Sequence, residues 1–381
     1  MSTNLIAAIV FIAVFGLVIL VHEFGHFIVG RWMKVEIEEF GIGVPPKMLT
    51  LFHWQGTEFT LNWLPFGGFN RFKGEDSLEE GYVPEPGSLP GASPWARFAI
   101  LIAGATMNLI LGVFVYQIII SQVGIPNFEQ VQIKDVTPGS PAEAAGFQIN
   151  DIIYTMNGEL ITDDAQMRAI TKASLDTDVE IVLLRDGEEV TTTAMPLSSR
   201  SAEEGAFGFL PGFAYIESPS FVQSFIYGVE MTAYHAREIV LLPGRMIGGS
   251  ISPEEGRFIG FKGIFDIFKR SVSADMESRT EEAPAPTSGG NLPQQSDQSP
   301  TFFTLSMIAN LTITLGVFNL LPFPALDGGR IIFLLPELLF RKRVSPRVEG
   351  LIHWAGFMLL MGLMVYINVM DFVNPIAIDF P

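Results

Sequence analysis

The chain of 381 residues contains no cysteine. Disulfides are therefore excluded, cysteine usage gives no sign of the redox compartment, and a metal site must draw on nitrogen and oxygen ligands. Basic residues are scarce as well, with 23 Lys and Arg against 41 Asp and Glu, a formal net charge of -18. Such a chain has no basic face to spare for phosphates, which excludes nucleic acid as a partner. The first residues, MSTNLIAAIVFIAVFGLVILVHEFGH, lack the basic start and the small-residue cleavage site of a signal peptide. They read as a span that stays.

What the chain does have is apolar residues, 48% of the total, gathered in blocks of about 20, the length that crosses a bilayer. Four spans are expected, near 4–30, 95–120, 302–322 and 349–371. Ser93 is placed to cap the second, with Pro94 at its first helical position. Arg31, Lys34, Arg97, Arg341, Lys342, Arg343 and Arg347 all fall on one side if the spans alternate. That side is expected to be cytoplasmic, with both termini and the large segment 121–300 outside. The segment carries 26 acidic and 12 basic residues, which accounts for most of the net charge.

Between the spans the patterns change. Residues 31–94 alternate apolar and polar residues through EFTLNWL, with Gly and Pro at turn points, and predict short membrane-associated β-hairpins. Residues 128–200 predict a small β-rich domain, with strands at QVQIKDV, DIIYTMNG and DVEIVLLRDGEEVTTTAMPL, turns at Asn157-Gly158 and Asp186-Gly187, and a short helix at AQMRAITKAS. Residues 220–250 are amphipathic and carry Glu230, His235, Arg237 and Glu238, which suits an interfacial helix better than a fifth span. Residues 270–300, rich in Pro, Ser, Gln and Glu, predict a disordered linker. The expected division is thus 1–123, 124–200, 201–269, 270–300 and 301–381.

The pattern VHEFGH, residues 21–26, sets ionisable groups inside the first span, where charge is costly and marks function. On a helix His22 and His26 lie on one face, so both imidazoles can serve a single Zn²⁺, and Glu23 can reach water there as general base. A catalytic zinc takes three protein ligands. Asp327, in NLLPFPALDGGR, is the candidate third; alternatively Asp327-Gly328-Gly329 is a turn between half-helices. Pro322 and Pro324 break the helix at membrane depth, which is tolerated where backbone lines a wet cavity. Of the remaining histidines, His53 reads as a surface or packing residue, His235 as a solvated residue of the interfacial helix, and His353, near the start of the last span, as a conceivable alternative ligand.

Taken in order, HEFGH, FGIGVPPKM, LPFGGFNRFKGED, PWARFAILIAGATMNLILG and NLLPFPALDG resemble the site-2 protease family of intramembrane zinc metalloproteases. The bacterial regulator-of-sigma-E protease class is the most similar branch, in a variant with one PDZ domain rather than two. VTPGSPAEAAGFQINDIIYTMNGELI resembles the PDZ signature of bacterial proteases, with Asn150-Asp151 in place of Gly-Asp. The resemblance implies an α-helical polytopic membrane protein with four transmembrane helices, membrane-associated β-hairpins and one inserted extracytoplasmic PDZ domain, in the bacterial inner membrane. It implies His22, His26 and Asp327 as zinc ligands, Glu23 as catalytic base, and Asn319, Gly67 and Gly68 as substrate-binding residues. Asn108 matches a recurring position of the second span, or serves helix packing through a buried amide. The expected partners are single-span transmembrane substrates, the lipid bilayer, and peptide C-termini at the PDZ domain. The expected activity is regulated intramembrane proteolysis, of anti-sigma factors or signal-peptide remnants for example. Rival readings are an inactive PDZ scaffold, which has no need of Glu23, and a zinc or proton transporter, which the absence of repeated halves disfavours.

Overall fold

A computed structural model of the chain describes residues 3–75, 85–200, 205–216, 219–248, 259–280 and 302–374. Along the chain, α1 (Thr3–Trp32) leads into a β-hairpin of β1 (Ile37–Trp54) and β2 (Thr57–Phe72), then α2 (Pro94–Val123). There follow β3 (Ile125–Val136), α3 (Pro141–Ala144), β4 (Ile152–Met156), β5 (Glu159–Leu160), α4 (Asp164–Ala173), β6 (Val179–Arg185), β7 (Glu188–Ala194) and β8 (Phe209–Ile216). The chain closes with α5 (Phe221–Ile247), α6 (Phe261–Thr280), α7 (Phe303–Leu320), α8 (Asp327–Phe340) and α9 (Pro346–Val373). It forms two compact units, one of Met1–Ile119 with Phe221–Pro381, the other Ile120–Ser220.

In the first unit, α1, α2, α7 and α9 are long and apolar enough to cross a membrane, as a polytopic membrane protein requires. α1 is apolar all round. Phe27 is buried separately against the β-hairpin, and one stripe running the length of the helix is buried by protein: Ala7, Phe11, Val14, Val18, His22 and His26. Steps of three and four residues keep these on one face, while Leu5, Ile9, Ile12, Leu17, Phe24 and Ile28 stay exposed, as a lipid-facing side would be. The histidines therefore continue the protein-facing stripe.

Where the sequence predicted short hairpins, β1 and β2 form one folded ribbon. Residues 39–42 pair with 68–71 on one side and with 58–61 on the other, and residues 47–54 pair with 57–62. Among the described pairings, residues 68–72 are left at an outer edge.

The expected linker is partly helical. α6 runs to Thr280, and only 281–300 of the segment lie outside the described residues. Phe265, Phe268 and Val272 recur at helical spacing and pack with Phe11, Val14 and Val18 of α1, Phe268 being fully buried. Carboxylates fix both ends of this helix in place. Gly260 and Gly263 N–H donate to Asp371 of α9, each at 2.9 Å, and Asp275 accepts from Phe303 and Thr304 N–H at the start of α7. The expected interfacial helix is α5. It packs against α2 closely enough that a Cβ on Gly228 would meet Val113 O at 2.7 Å. His235 is half-buried rather than at the surface, its Nδ1 3.0 Å from the Tyr116 hydroxyl of α2.

The second unit is a six-stranded sheet of order β7-β6-β4-β3-β8, with β5 on β4. Val179, Ile181 and Leu183 of β6 alternate inward with the period of a strand and meet Val131, Ile133, Ile153 and Met156 in one core. The turns at Asn157-Gly158 and Asp186-Gly187 all have positive φ, as hairpin turns require. The unit runs past the expected boundary at 200, because β8 pairs with β3 along Val136↔Phe209 to Ile125↔Ile216. Asp151, almost fully buried, accepts both Nε and Nη2 of Arg185 (2.8 and 2.7 Å) and the Gln148 N–H.

Candidate metal centre

α1 brings His22 and His26 together one turn apart, and the start of α8 brings Asp327 to both. Nε2 of His22 lies 3.1 Å from Nε2 of His26, and Asp327 Oδ2 lies 3.2 and 3.3 Å from the two nitrogens. Both histidines are buried. His26 Nδ1 lies 2.7 Å from Ile100 O. A carbonyl only accepts, so Nδ1 carries the proton and Nε2 turns a lone pair on its neighbours. Asp327 Oδ2 is buried and has no hydrogen-bond partner among the described residues.

Two imidazole nitrogens and a carboxylate oxygen this close together could hold a single cation between them. Ligands about 2.0–2.1 Å from a tetrahedral zinc stand about 3.3 Å apart, which matches these separations. The donor set, two imidazoles and a carboxylate, is one that catalytic zinc uses. It is the one group of at least three such side chains close enough to share an ion among the described residues. These residues fit zinc.

α2 closes the site from behind. A Cβ on Gly104 would stand 2.4 Å from His26 Nε2 and 2.8 Å from His22 Nε2, so only glycine lets this helix pass the two imidazoles. Asn108, fully buried one turn on, has its Nδ2 3.5 Å from His22 Nδ1, and its Oδ1 has no hydrogen-bond partner among the described residues. Turning the carboxamide over would offer that oxygen to the proton on Nδ1, the support that metal-ligating histidines commonly have. Its backbone carbonyl accepts from Thr312 of α7, so Asn108 also joins two helices.

Glu23 lies between the donors and the sheet edge. Asn70 Nδ2 donates to Glu23 O at 2.7 Å and to Glu23 Oε2 at 2.8 Å. Gly68 passes the same carboxylate, with a Cβ there 3.1 Å from Glu23 Cγ. Gly67 has φ +109°, and a Cβ there would meet Val44 Cγ2 at 2.9 Å. Asn319 lines the same cavity, with its Nδ2 donating to Leu315 O of its own helix. His53 is exposed on β1, and His353 lines the cavity without joining the donor cluster.

The cavity holds about 980 Å³. Beyond the donors its walls carry Glu75, Arg97, Arg330, Glu337 and Arg343, paired as Arg330–Glu75, Arg97–Glu337 and Arg343–Glu337. The same cavity thus runs from the three donors to Arg97 and to Arg343 and Ser345 just ahead of α9. Sequence reasoning gave Asn70 and Gly104 no role, although both sit in quoted motifs; only the approach of separate elements reveals them.

The model of peptidase family M50 matches residues 10–363. A Clostridium perfringens protein provisionally named a zinc metalloprotease is 32% identical over 365 residues, covering 95% of this chain and 97% of its own. Another with that provisional name, from Campylobacter jejuni, is 30% identical over 370 residues, covering 94% and 91%. Zinc metalloprotease RasP of Oceanobacillus iheyensis is 25% identical over 447 aligned positions, covering 95% and 98%.

Proposed function

The chain belongs to peptidase family M50, and from that premise we propose that it is an intramembrane zinc metalloprotease that cuts single-span membrane proteins within their transmembrane segments. The observation that carries this reading is the convergence of His22, His26 and Asp327 within 3.1–3.3 Å, beside Glu23 and an open strand edge. His22, His26 and Asp327 are the zinc ligands. Zinc held there would supply Lewis acidity, polarising the scissile carbonyl and lowering the pKa of the attacking water so that it gives up its proton more readily.

The chain's own groups do the rest. Glu23 takes the proton from the attacking water and passes it to the leaving amide nitrogen. Asn70 holds the Glu23 carboxylate towards the cavity with one hydrogen bond and ties it to the backbone with another. A transmembrane helix shields its peptide bonds within its own hydrogen bonds, so it must become extended before attack. The edge at residues 68–72 supplies replacement partners, adding the substrate as a strand. Asn319, in the same cavity, has donor and acceptor atoms for the extended chain.

The unit Ile120–Ser220 is the PDZ domain of this reading. β8 pairs with β3 alone among the described strands. Between β8 and α4 runs a groove of about 410 Å³, walled by Met167, Thr171, Phe207 and Phe209, with Arg168 and Arg200 at its rim. An extended C-terminus fits such a strand-and-helix groove, its side chains among the apolar residues and its carboxylate near the arginines. The enzyme lies in the bacterial inner membrane, termini and PDZ domain outside, the metal site open to water from the cytoplasmic flank. Its substrates are single-span proteins already trimmed outside, such as anti-sigma factors.

Purified protein with a model transmembrane substrate tests the proposal. Glu23→Gln should retain zinc and lose cleavage by about 10²–10⁴-fold, the contribution of a general base. Cleavage that survives this change defeats the mechanism. Zinc without any cleavage in the unaltered protein would point to the scaffold or the transporter.

A further inference from the structure

His353 lines the metal cavity, yet it takes no part in the donor cluster. Its place in the fold is specific. Ala325 N–H donates to His353 Nδ1 at 2.8 Å. An imidazole nitrogen that accepts is unprotonated, so the ring proton sits on Nε2. Ala325 is two residues before Asp327 and has φ +77°, a left-handed backbone that is strained for a residue with a Cβ. Such a conformation persists only where surrounding contacts hold it.

Those contacts come from α9. One turn beyond His353, a Cβ on Gly356 would meet Pro324 Cβ at 2.4 Å and Pro324 O at 2.9 Å, so α9 lies directly on the broken segment. On the other side of Asp327, the ring of Phe333 in α8 lies 5.4 Å from the His353 ring, centroid to centroid. His353 thus touches the chain both before and after the residue whose carboxylate must reach two imidazoles.

We propose that His353 is a positioning residue for the metal centre: through its bond to Ala325 N–H it holds the α7–α8 break in the one conformation that sets Asp327 against His22 and His26. The inference rests on reading Asp327 as a zinc ligand. It gives the last helix a part in zinc binding without contributing a ligand.

The test measures zinc affinity of the purified full chain by competition with a chelator, alongside helix content and thermal unfolding. His353→Ala should weaken zinc about 10–100-fold, the usual cost of removing a supporting partner, with helix content unchanged. His353→Asn offers an oxygen close to where Nδ1 stood and should recover most of the loss. Ala325→Gly removes the left-handed strain, so His353→Ala should cost less in that background. Should His353→Ala fail to fold, the recovery by Asn and the Ala325→Gly background decide the matter. Zinc affinity unchanged in His353→Ala, or lost as fully in His353→Asn, would overturn the inference. Asp327→Ala is the control: if it too leaves affinity unchanged, the ligand assignment itself has failed.

Discussion

His22 and His26 reach the metal centre on an unbroken 30-residue helix, whereas Asp327 reaches it on a helix that starts immediately after a break. Helical spacing alone sets the first pair, and any straight α1 keeps them together. The carboxylate depends on distant parts of the chain: Gly328 and Gly329 folding back on residues 320–324, and α9 lying on Pro324 and Ala325. One half of the site is local and robust. The other is assembled by tertiary packing and should be the half that mutation disturbs from a distance.

Direct removal of the proposed ligands should erase the difference. His26→Ala and Asp327→Ala each leave two donors where three converge, and both should lose more zinc affinity than the about 10–100-fold that a supporting partner costs. Metal content after chelator competition measures this. Retention in either variant would show that the cluster is not the zinc site.

Glycine substitutions away from the donors should bring the contrast back. A Cβ on Gly328 would meet Leu321 O at 2.1 Å, so Gly328→Ala forces the break to shift and should weaken zinc about 10–100-fold. Gly16 of α1 has nothing within 4 Å of an added Cβ, so Gly16→Ala should leave zinc unchanged. Equal effects would contradict the division into local and assembled halves.

The same division explains what the sequence made legible. H-E-x-x-H announces itself because its chemistry depends on spacing within one helix. Asp327 was readable as a candidate because two prolines at membrane depth demand a reason. Asn70 and Gly104 sat in view but unassigned, since their roles exist only where β2 and α2 meet α1. The helix over 261–280 was half hidden for another reason. Its apolar positions 261, 264, 265, 268 and 272 have helical period, but composition averaged over 270–300 is dominated by the polar residues that follow. β8 gives no local signal, because its partner β3 lies far back in the chain, paired along Val136↔Phe209 to Ile125↔Ile216.

Asn70→Ala is expected to act on turnover and not on metal. It removes a hydrogen bond to a carboxylate, an interaction worth about 1.5–3 kcal/mol, so kcat should fall roughly 10–100-fold while KM and zinc content hold. Loss of zinc in this variant would mean that β2 supports the ligands instead of the base.

The smallest effect on the chemistry should come from the second unit. Arg185→Ala leaves the nearly buried Asp151 carboxylate with the Gln148 N–H as its one remaining described partner, at a cost of about 1–3 kcal/mol. Amide hydrogen exchange within 120–220 should accelerate as that core loosens, while zinc affinity stays at the unaltered value. Each unit has its own buried core, Val131, Ile153 and Leu183 in one, Phe11, Val18 and Phe268 in the other. A loss of zinc in Arg185→Ala would therefore mean that the metal centre depends on more than the packing of its own unit.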